Sequence, residues 1–199
     1  MAKQKMTQQE KDAYDMMKKL IDKPVKLKKS DFYPGALIMY AYDAQDKSRA
    51  YDGRPLCFVL GRSGKYTLGL NLHWMPKKLR EKVMDGVLRR NKANVKKGRR
   101  LTLNYRMVKA LVKGLGPVVR LYINKRISPK GVVVPSYQYY KVIDLKSEHF
   151  IGISSKAAWA VAIAGHKANK RAKAAAKKQR AQDAKRAQAR LNKAKKDKK

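Results

Sequence analysis

A chain of 199 residues with 50 Lys and Arg against 14 Asp and Glu carries a formal charge of +36. Solubility needs a net charge of only roughly 2–8, so this surplus excludes simple hydration as its purpose and points to a dense polyanion as counter-charge. The single cysteine, Cys57, excludes an internal disulfide and a cysteine-based zinc site, and no apolar run approaches the roughly 18 residues of a membrane-spanning helix.

Residues 1–24 read as an arm with one helix. Thr7 and Glu10 form a capping box, Ala13, Met16, Met17, Leu20 and Ile21 share one helical face, and Pro24 ends it. The N-terminus is charged from Lys3 and lacks the apolar segment of a secretory leader, so synthesis and use in a cytoplasm, or packaging from one, is expected.

From 25 to 75 the pattern is β. Val25-Lys26-Leu27 alternates weakly, Tyr33-Pro34-Gly35 is a turn, and Ala36 to Tyr42 is a strand. Asp43 to Pro55 is polar and turn-like. Leu56 to Leu60 and Tyr66 to Leu72 are strands joined by the hairpin loop Gly61-Arg62-Ser63-Gly64. Cys57, within the first of these, reads as a buried, inert thiol. Short twisted strands suit a small, SH3-like β-barrel, which removes exposed edges by closure.

Pro76 opens a helix with Leu79, Val83, Met84, Val87 and Leu88 on its apolar side and Arg80, Lys82, Arg89 and Arg90 elsewhere. Asn91 to Arg100 is a basic linker. Leu101 to Leu115 reads as a helix striped by Met107, Val108, Leu111, Val112 and Leu115, and Gly116-Pro117 ends it. Val118 to Ile127 fits either strand or helix. Gly131 to Val134 and Tyr137 to Ile153 read as β or irregular β. Ser154 or Ser155 caps a helix from Ala157, anchored by Trp159 and Ile163.

From His166 the composition changes. The last 34 residues hold fifteen Lys and Arg, two acids and one large apolar residue, Leu191. Ala, Lys, Arg and Gln favour helix, but no apolar face is available to stabilise one. The segment reads as a basic tail, disordered or partly helical alone, that orders on a polyanion. The expected architecture is α+β: an arm over 1–24, a barrel-containing body with packed helices over 25–165, and a basic, helix-prone tail over 166–199.

Motifs for chemistry are weak. Gly61-Arg62-Ser63-Gly64-Lys65 lacks the first glycine of a phosphate loop, with Val59 in its place, and has Tyr66 where Ser or Thr belongs; it is a basic hairpin tip. His73, His149 and His166 have no second ligand at metal-binding spacing, and His73 reads as structural. Asp43, Asp46 and Asp52 share one loop, where turns and pairing with Lys47, Arg49 and Arg54 account for them better than a metal-dependent nuclease. No enzyme, cofactor or metal is expected. Tyrosines interleave with the basic residues, and Tyr137, Tyr139 and Tyr140 are the best candidates for exposed rings that stack on unpaired bases.

Several blocks resemble a small family encoded by T4-like tailed bacteriophages and their marine relatives. They are Tyr33-Pro34-Gly35-Ala36-Leu37, Tyr40-Ala41-Tyr42-Asp43, Tyr51-Asp52-Gly53-Arg54-Pro55-Leu56 and Gly69-Leu70-Asn71-Leu72-His73-Trp74-Met75-Pro76. Val119-Arg120-Leu121-Tyr122-Ile123 and Trp159-Ala160-Val161-Ala162 follow in the same order, so the resemblance covers roughly residues 32 to 165. It implies a DNA end protector: a virion protein that guards packaged genome ends from host exonuclease. The chain departs from that pattern in its more basic linker, Lys92 to Arg100, and its long basic tail.

Charge and resemblance together lead to a virion-associated protein that binds double-stranded DNA without reading sequence. It would reside in the host cytoplasm before assembly and make no membrane contact. The alternative is a structural head or neck component that touches other virion proteins and reaches packaged DNA through its tail. Phosphate contacts are expected from Arg62 and Lys65 at the hairpin tip, and from Lys92, Lys96, Lys97, Arg99 and Arg100 in the linker. The tail would add Lys170, Arg171, Lys173, Lys177, Lys178 and Arg180.

Overall fold

The computed structural model describes residues 8, 11–12, 15, 18–19, 22–97, 99–144 and 148–196. Gln8, Lys11, Asp12, Asp15, Lys18, Lys19 and Asp22 are helical and exposed. The apolar face expected at Ala13, Met16, Met17, Leu20 and Ile21, and the capping box of Thr7 and Glu10, lie outside the described residues.

Eight strands follow: β1 (Val25–Lys26), β2 (Leu37–Tyr42), β3 (Tyr51–Asp52), β4 (Leu56–Arg62), β5 (Tyr66–Asn71), β6 (Val119–Ile123), β7 (Ile127–Val134) and β8 (Phe150–Ile151). Six form one sheet in the order β1-β7-β2-β4-β5-β6, each pairing antiparallel, and β3 pairs with β8 apart from it. The β-branched, aromatic and Leu-rich makeup of β2, β4 and β5 suits a pleated surface covered on both faces. Period-two alternation then sorts the side chains. Leu37, Met39, Leu56 and Phe58 join a large core on one face, and Ile38, Tyr40, Cys57 and Val59 a smaller one on the other.

The smaller core shows how far the sheet curls. Three steps across a flat sheet, from β2 to β6, would be roughly 14 Å. Yet the Tyr122 ring of β6 meets Tyr40 and Tyr42 of β2 with centroids 5.6 and 4.9 Å away. Hydrogen bonding nevertheless stops at β1 and β6, so the closed barrel expected from the strand lengths is not formed among the described residues. The class is α+β.

Helices cover the large core. They are α1 (Lys77–Arg90), α2 (Lys92–Lys96), α3 (Tyr105–Leu111) and α4 (Ser155–Lys196). Pro76 precedes α1, where its fixed φ suits a helix start, and Val83, Met84 and Val87 pack inward. Ser154 caps α4, its Oγ accepting from the Ala157 amide at 3.2 Å. Ala158 and Ala162 are buried there, and the Trp159 indole donates to the His73 carbonyl at 3.0 Å. α4 then runs on unbroken through Lys196, with no break where the composition changes.

Three local expectations are corrected. Residues 101–104 are not helical: Leu101 and Leu103 alternate into the core, and Asn104 caps the shorter α3 by accepting from the Met107 amide at 3.0 Å. Ser136–Asp144 form 3-10 turns that bury Tyr139, Val142 and Ile143, a helical spacing. Part of the basic linker, Lys92–Lys96, is helical.

Candidate nucleic-acid interface

Asp52, Asn71, His73, Tyr122 and Cys57 make a polar knot inside the fold. Asp52 is 3% exposed and His73 0%. The His73 Nδ1 lies 2.8 Å from Asp52 Oδ2, which also accepts from Asn71 Nδ2 at 2.9 Å. Asn71 Nδ2 reaches the Tyr122 hydroxyl at 3.1 Å, 3.4 Å from the Cys57 sulfur. Burial works to raise the Asp52 pKa, but the bonds and charge of His73, Asn71 and the Arg54 amide outweigh it and hold the carboxyl below its ordinary value. An ionised Asp52 requires the proton on Nδ1 of His73. Burial pushes the Cys57 thiol up, which disfavours a thiolate nucleophile. The knot is a structural device that ties β3, β4, β5 and β6 together. Among the described residues, no group of His, Cys, Asp and Glu could hold a metal ion.

One buried and one half-buried arginine are structural. Arg80, expected on the solvent side of α1, is 3% exposed, pairs with Glu148 and donates from Nε to the Met75 carbonyl at 2.7 Å. Arg120 lies 3.9 Å over the Trp74 ring and donates to the Pro117 carbonyl at 3.0 Å; burial lowers its pKa.

Exposed basic side chains are spread over much of the described surface, and three places hold several of them together. The first is a cleft of about 1150 Å³ at the hairpin end, lined by Arg54, Lys65, Lys125 and Arg126 with Tyr42, Tyr66 and His149. Asn124 fixes it: its Nδ2 donates to the Ser63 carbonyl at 2.8 Å, and its amide to the Lys65 carbonyl at 2.9 Å. This pins the hairpin tip beside Lys125 and Arg126. Asp43 neutralises part of the rim, 2.9 Å from Arg126 and 3.1 Å from Lys47; the Lys47 hydrogen bond foremost, then the charges of Lys47 and Arg126, lower its pKa. Lys65 stands in the cleft, but Arg62 does not. The Arg62 guanidinium lies 3.9 Å over the Phe32 ring, and its Nη1 is buried without a hydrogen-bond partner. Partial burial lowers its pKa.

The second surface is a groove of about 890 Å³ between α1, α2 and the Ser136–Asp144 turns. Lys78, Lys82, Arg89, Lys92 and Lys96 line it, with Glu81 and Asp85 as its acids. Spacings of four and seven residues put Lys78, Lys82 and Arg89 on one face of α1. Sequence reasoning missed Lys78 and gave Lys82 and Arg89 no role, although that spacing was readable. Tyr137 and Tyr140 stand on the far wall, 78% and 54% exposed. The Tyr140 hydroxyl donates to Asp85 Oδ1 at 2.7 Å, and that bond raises its pKa. Tyr139, expected with them, is buried and bonds the Gly35 carbonyl at 3.2 Å. Lys97, Arg99 and Arg100 are exposed beyond α2, and the Arg100 guanidinium lies 4.4 Å over the Tyr33 ring.

The third surface is α4. Lys167, Lys170, Arg171, Lys173, Lys177, Lys178, Arg180 and Lys185 are all exposed. At about 100° per residue they fall within one half of the helix circumference. Ala168, Ala172, Ala175, Ala176, Gln179 and Gln182 take the other half. No helix among the described residues is long and apolar enough to cross a membrane.

A family model described as phage T4 terminal DNA protecting protein matches residues 1–162, and the chain belongs to that family. No curated protein and no solved structure matches the chain. The match contains the hairpin cleft and the groove; it ends before the basic part of α4.

Proposed function

We propose that this member of the phage terminal DNA protecting family binds double-stranded DNA through its phosphates, independent of base sequence, and shields the ends of the packaged genome from host exonuclease. The observation that carries the reading is the segregation of charge. Arg80 and Arg120 are tied to protein partners, while the surplus stands exposed over the described surface, with clusters at the cleft, the groove and one half of α4. Exposed lysines and arginines grip a polyanion by releasing its condensed counterions, a contact with phosphate that carries no base sequence.

The protein acts by occupying DNA rather than by chemistry on it; the sealed Asp52–His73 pair and the protonated Cys57 support a non-catalytic role. It works as a virion component, held in the host cytoplasm until assembly. We read the curled sheet as an open SH3-like barrel. Support comes from the order β7-β2-β4-β5-β6 and from the single 3-10 turn, Asn124–Arg126, that carries the chain from one end of that order to the other. α1, α2 and α3 are inserted between β5 and β6.

A second reading, a head or neck component that binds other virion proteins through its body, draws on the position of the basic helix outside the family match. The deciding experiment compares linear and covalently closed circular DNA of one sequence, in binding and under exonuclease challenge. Protection of the linear form, at protein levels too low to coat the circle, is expected. Equal binding to both forms with no protection favours the head or neck reading.

A further inference from the structure

We infer that the groove between α1, α2 and the Ser136–Asp144 turns is a site for unpaired DNA at a duplex end, with Tyr137 as its stacking platform. The inference rests on the end-protecting reading and names how an end would be told from the middle of a duplex.

A continuous duplex presents its phosphates everywhere but hides the faces of its bases. An end, frayed or with an overhang, exposes those faces. A surface that distinguishes the two therefore needs aromatic area beside positive charge, because stacking rewards only an unpaired base. The groove has both. Tyr137 is 78% exposed, which leaves its ring open to a base. Lys78, Lys82, Arg89, Lys92 and Lys96 supply five cations along the opposite wall, enough to follow a single-stranded backbone.

The two acids in the groove do not cancel this. Asp85, which accepts from the Tyr140 hydroxyl at 2.7 Å, and Glu81 stand against five cations, so the groove keeps a positive excess. That same bond orients Tyr140, whose ring is 54% exposed, beside Tyr137. Leu88, Val95 and Leu111 give the groove an apolar lining on which a base can rest. The hairpin cleft is the rival. Its tyrosine rings are only half exposed, with Tyr42 edge-on to Tyr122 and the Lys65 ammonium 5.3 Å over Tyr66, and its exposed ring is the smaller imidazole of His149, so it offers phosphate contacts with less stacking area than the groove. The groove also lies wholly inside residues 1–162, the part shared with the family.

The test uses the full chain and three probes: oligothymidine, linear duplex with a single-stranded overhang, and closed circular duplex. Wild-type protein is expected to bind oligothymidine and to prefer the overhang duplex over the circle. Tyr137→Ala should weaken oligothymidine binding about five- to hundredfold and bring the preference toward one; Tyr137→Trp should restore both. Circular dichroism checks that the variants fold, which the exposure of Tyr137 favours. Unchanged oligothymidine binding by Tyr137→Ala, failure of Tyr137→Trp to rescue, or tighter binding of oligouridine than oligothymidine would overturn the inference while leaving end protection standing. Failure of wild-type protein to bind any of the three DNAs at low salt would overturn the DNA-binding reading itself.

Discussion

Asp52 and His73 are sealed inside the sheet, each held by named partners. The eight lysines and arginines from Lys167 to Lys185 stand in solvent along one half of α4. Both regions are rich in polar chemistry, and the physics of each is opposite. A buried polar group left unsatisfied costs about 1–3 kcal/mol, so geometry in the knot fixes residue identity atom by atom. For the phosphate contacts proposed for α4, only the sign of the charge and its side of the helix would matter, and Lys and Arg could trade places. The most distinctive block, Gly69-Leu70-Asn71-Leu72-His73-Trp74-Met75-Pro76, thus belongs to folding, whereas much of the proposed binding is assigned to the least distinctive segment.

The largest expected effect comes from removing residues 167–199. The cations of that segment can neutralise roughly 6–10 phosphates, so without them affinity for duplex DNA at low salt should fall by about 10³-fold. The slope of log affinity against log salt should become shallower as well. The melting temperature of the body should change little, because the described side chains from Lys167 to Lys185 are all exposed. A truncated body that melts far earlier would break the comparison by showing that α4 serves the fold. Arg80→Ala probes the other side: it strands Glu148 without its partner and should cost about 3–5 kcal/mol by denaturant titration, while Lys170→Ala should leave the midpoint in place. Gly35→Ala ranks next, at about 3 kcal/mol. Gly35 sits at φ +101°, and an added Cβ would meet the Leu101 carbonyl oxygen at 2.1 Å, a backbone atom that cannot step aside.

The same contrast explains what was legible in the sequence. β2, β4, β5 and α1 were, because each is a local periodic pattern, and so was the Ser154 cap of α4. The exposed position of Lys92, Lys96, Lys97, Arg99 and Arg100, and of the α4 cations, followed from segments with no apolar stripe to bury. Arg80 was misplaced because what buries it, Glu148, lies 68 residues away. Asp52 looked like one of three loop acids; only its remote partner His73 sets it apart from Asp43 and Asp46. Arg62 was given a role at the hairpin tip, but Phe32 takes its guanidinium. Residues 136–144 hid their spacing at Tyr139, Val142 and Ile143 behind a run of β-formers. Closure of the sheet depends on pairing between β1 and β6, which no local pattern encodes.

The smallest effect, and the sharpest on the buried side, is the acid limb of stability. Asp52 is held below its ordinary carboxylate pKa because bonds and charge from His73, Asn71 and the Arg54 amide exceed the burial penalty. A depressed folded pKa contributes stability that is present above the unfolded value and is lost as pH falls through the folded one. Wild-type stability should therefore decline in acid by an Asp52-dependent increment. Asp52→Asn keeps an acceptor for His73 but turns an amide toward the Asn71 amide, so it should be less stable at neutral pH. It also cannot titrate, so its deficit should shrink as pH falls and the two stability curves should converge. Asp43 and Asp46, exposed and also depressed, are present in both proteins and drop out of the difference. Urea midpoints measured across the acid range read this directly. A gap that stays constant through the whole range would mean that the charge of Asp52 contributes nothing, and that the knot is held by shape and hydrogen-bond count alone.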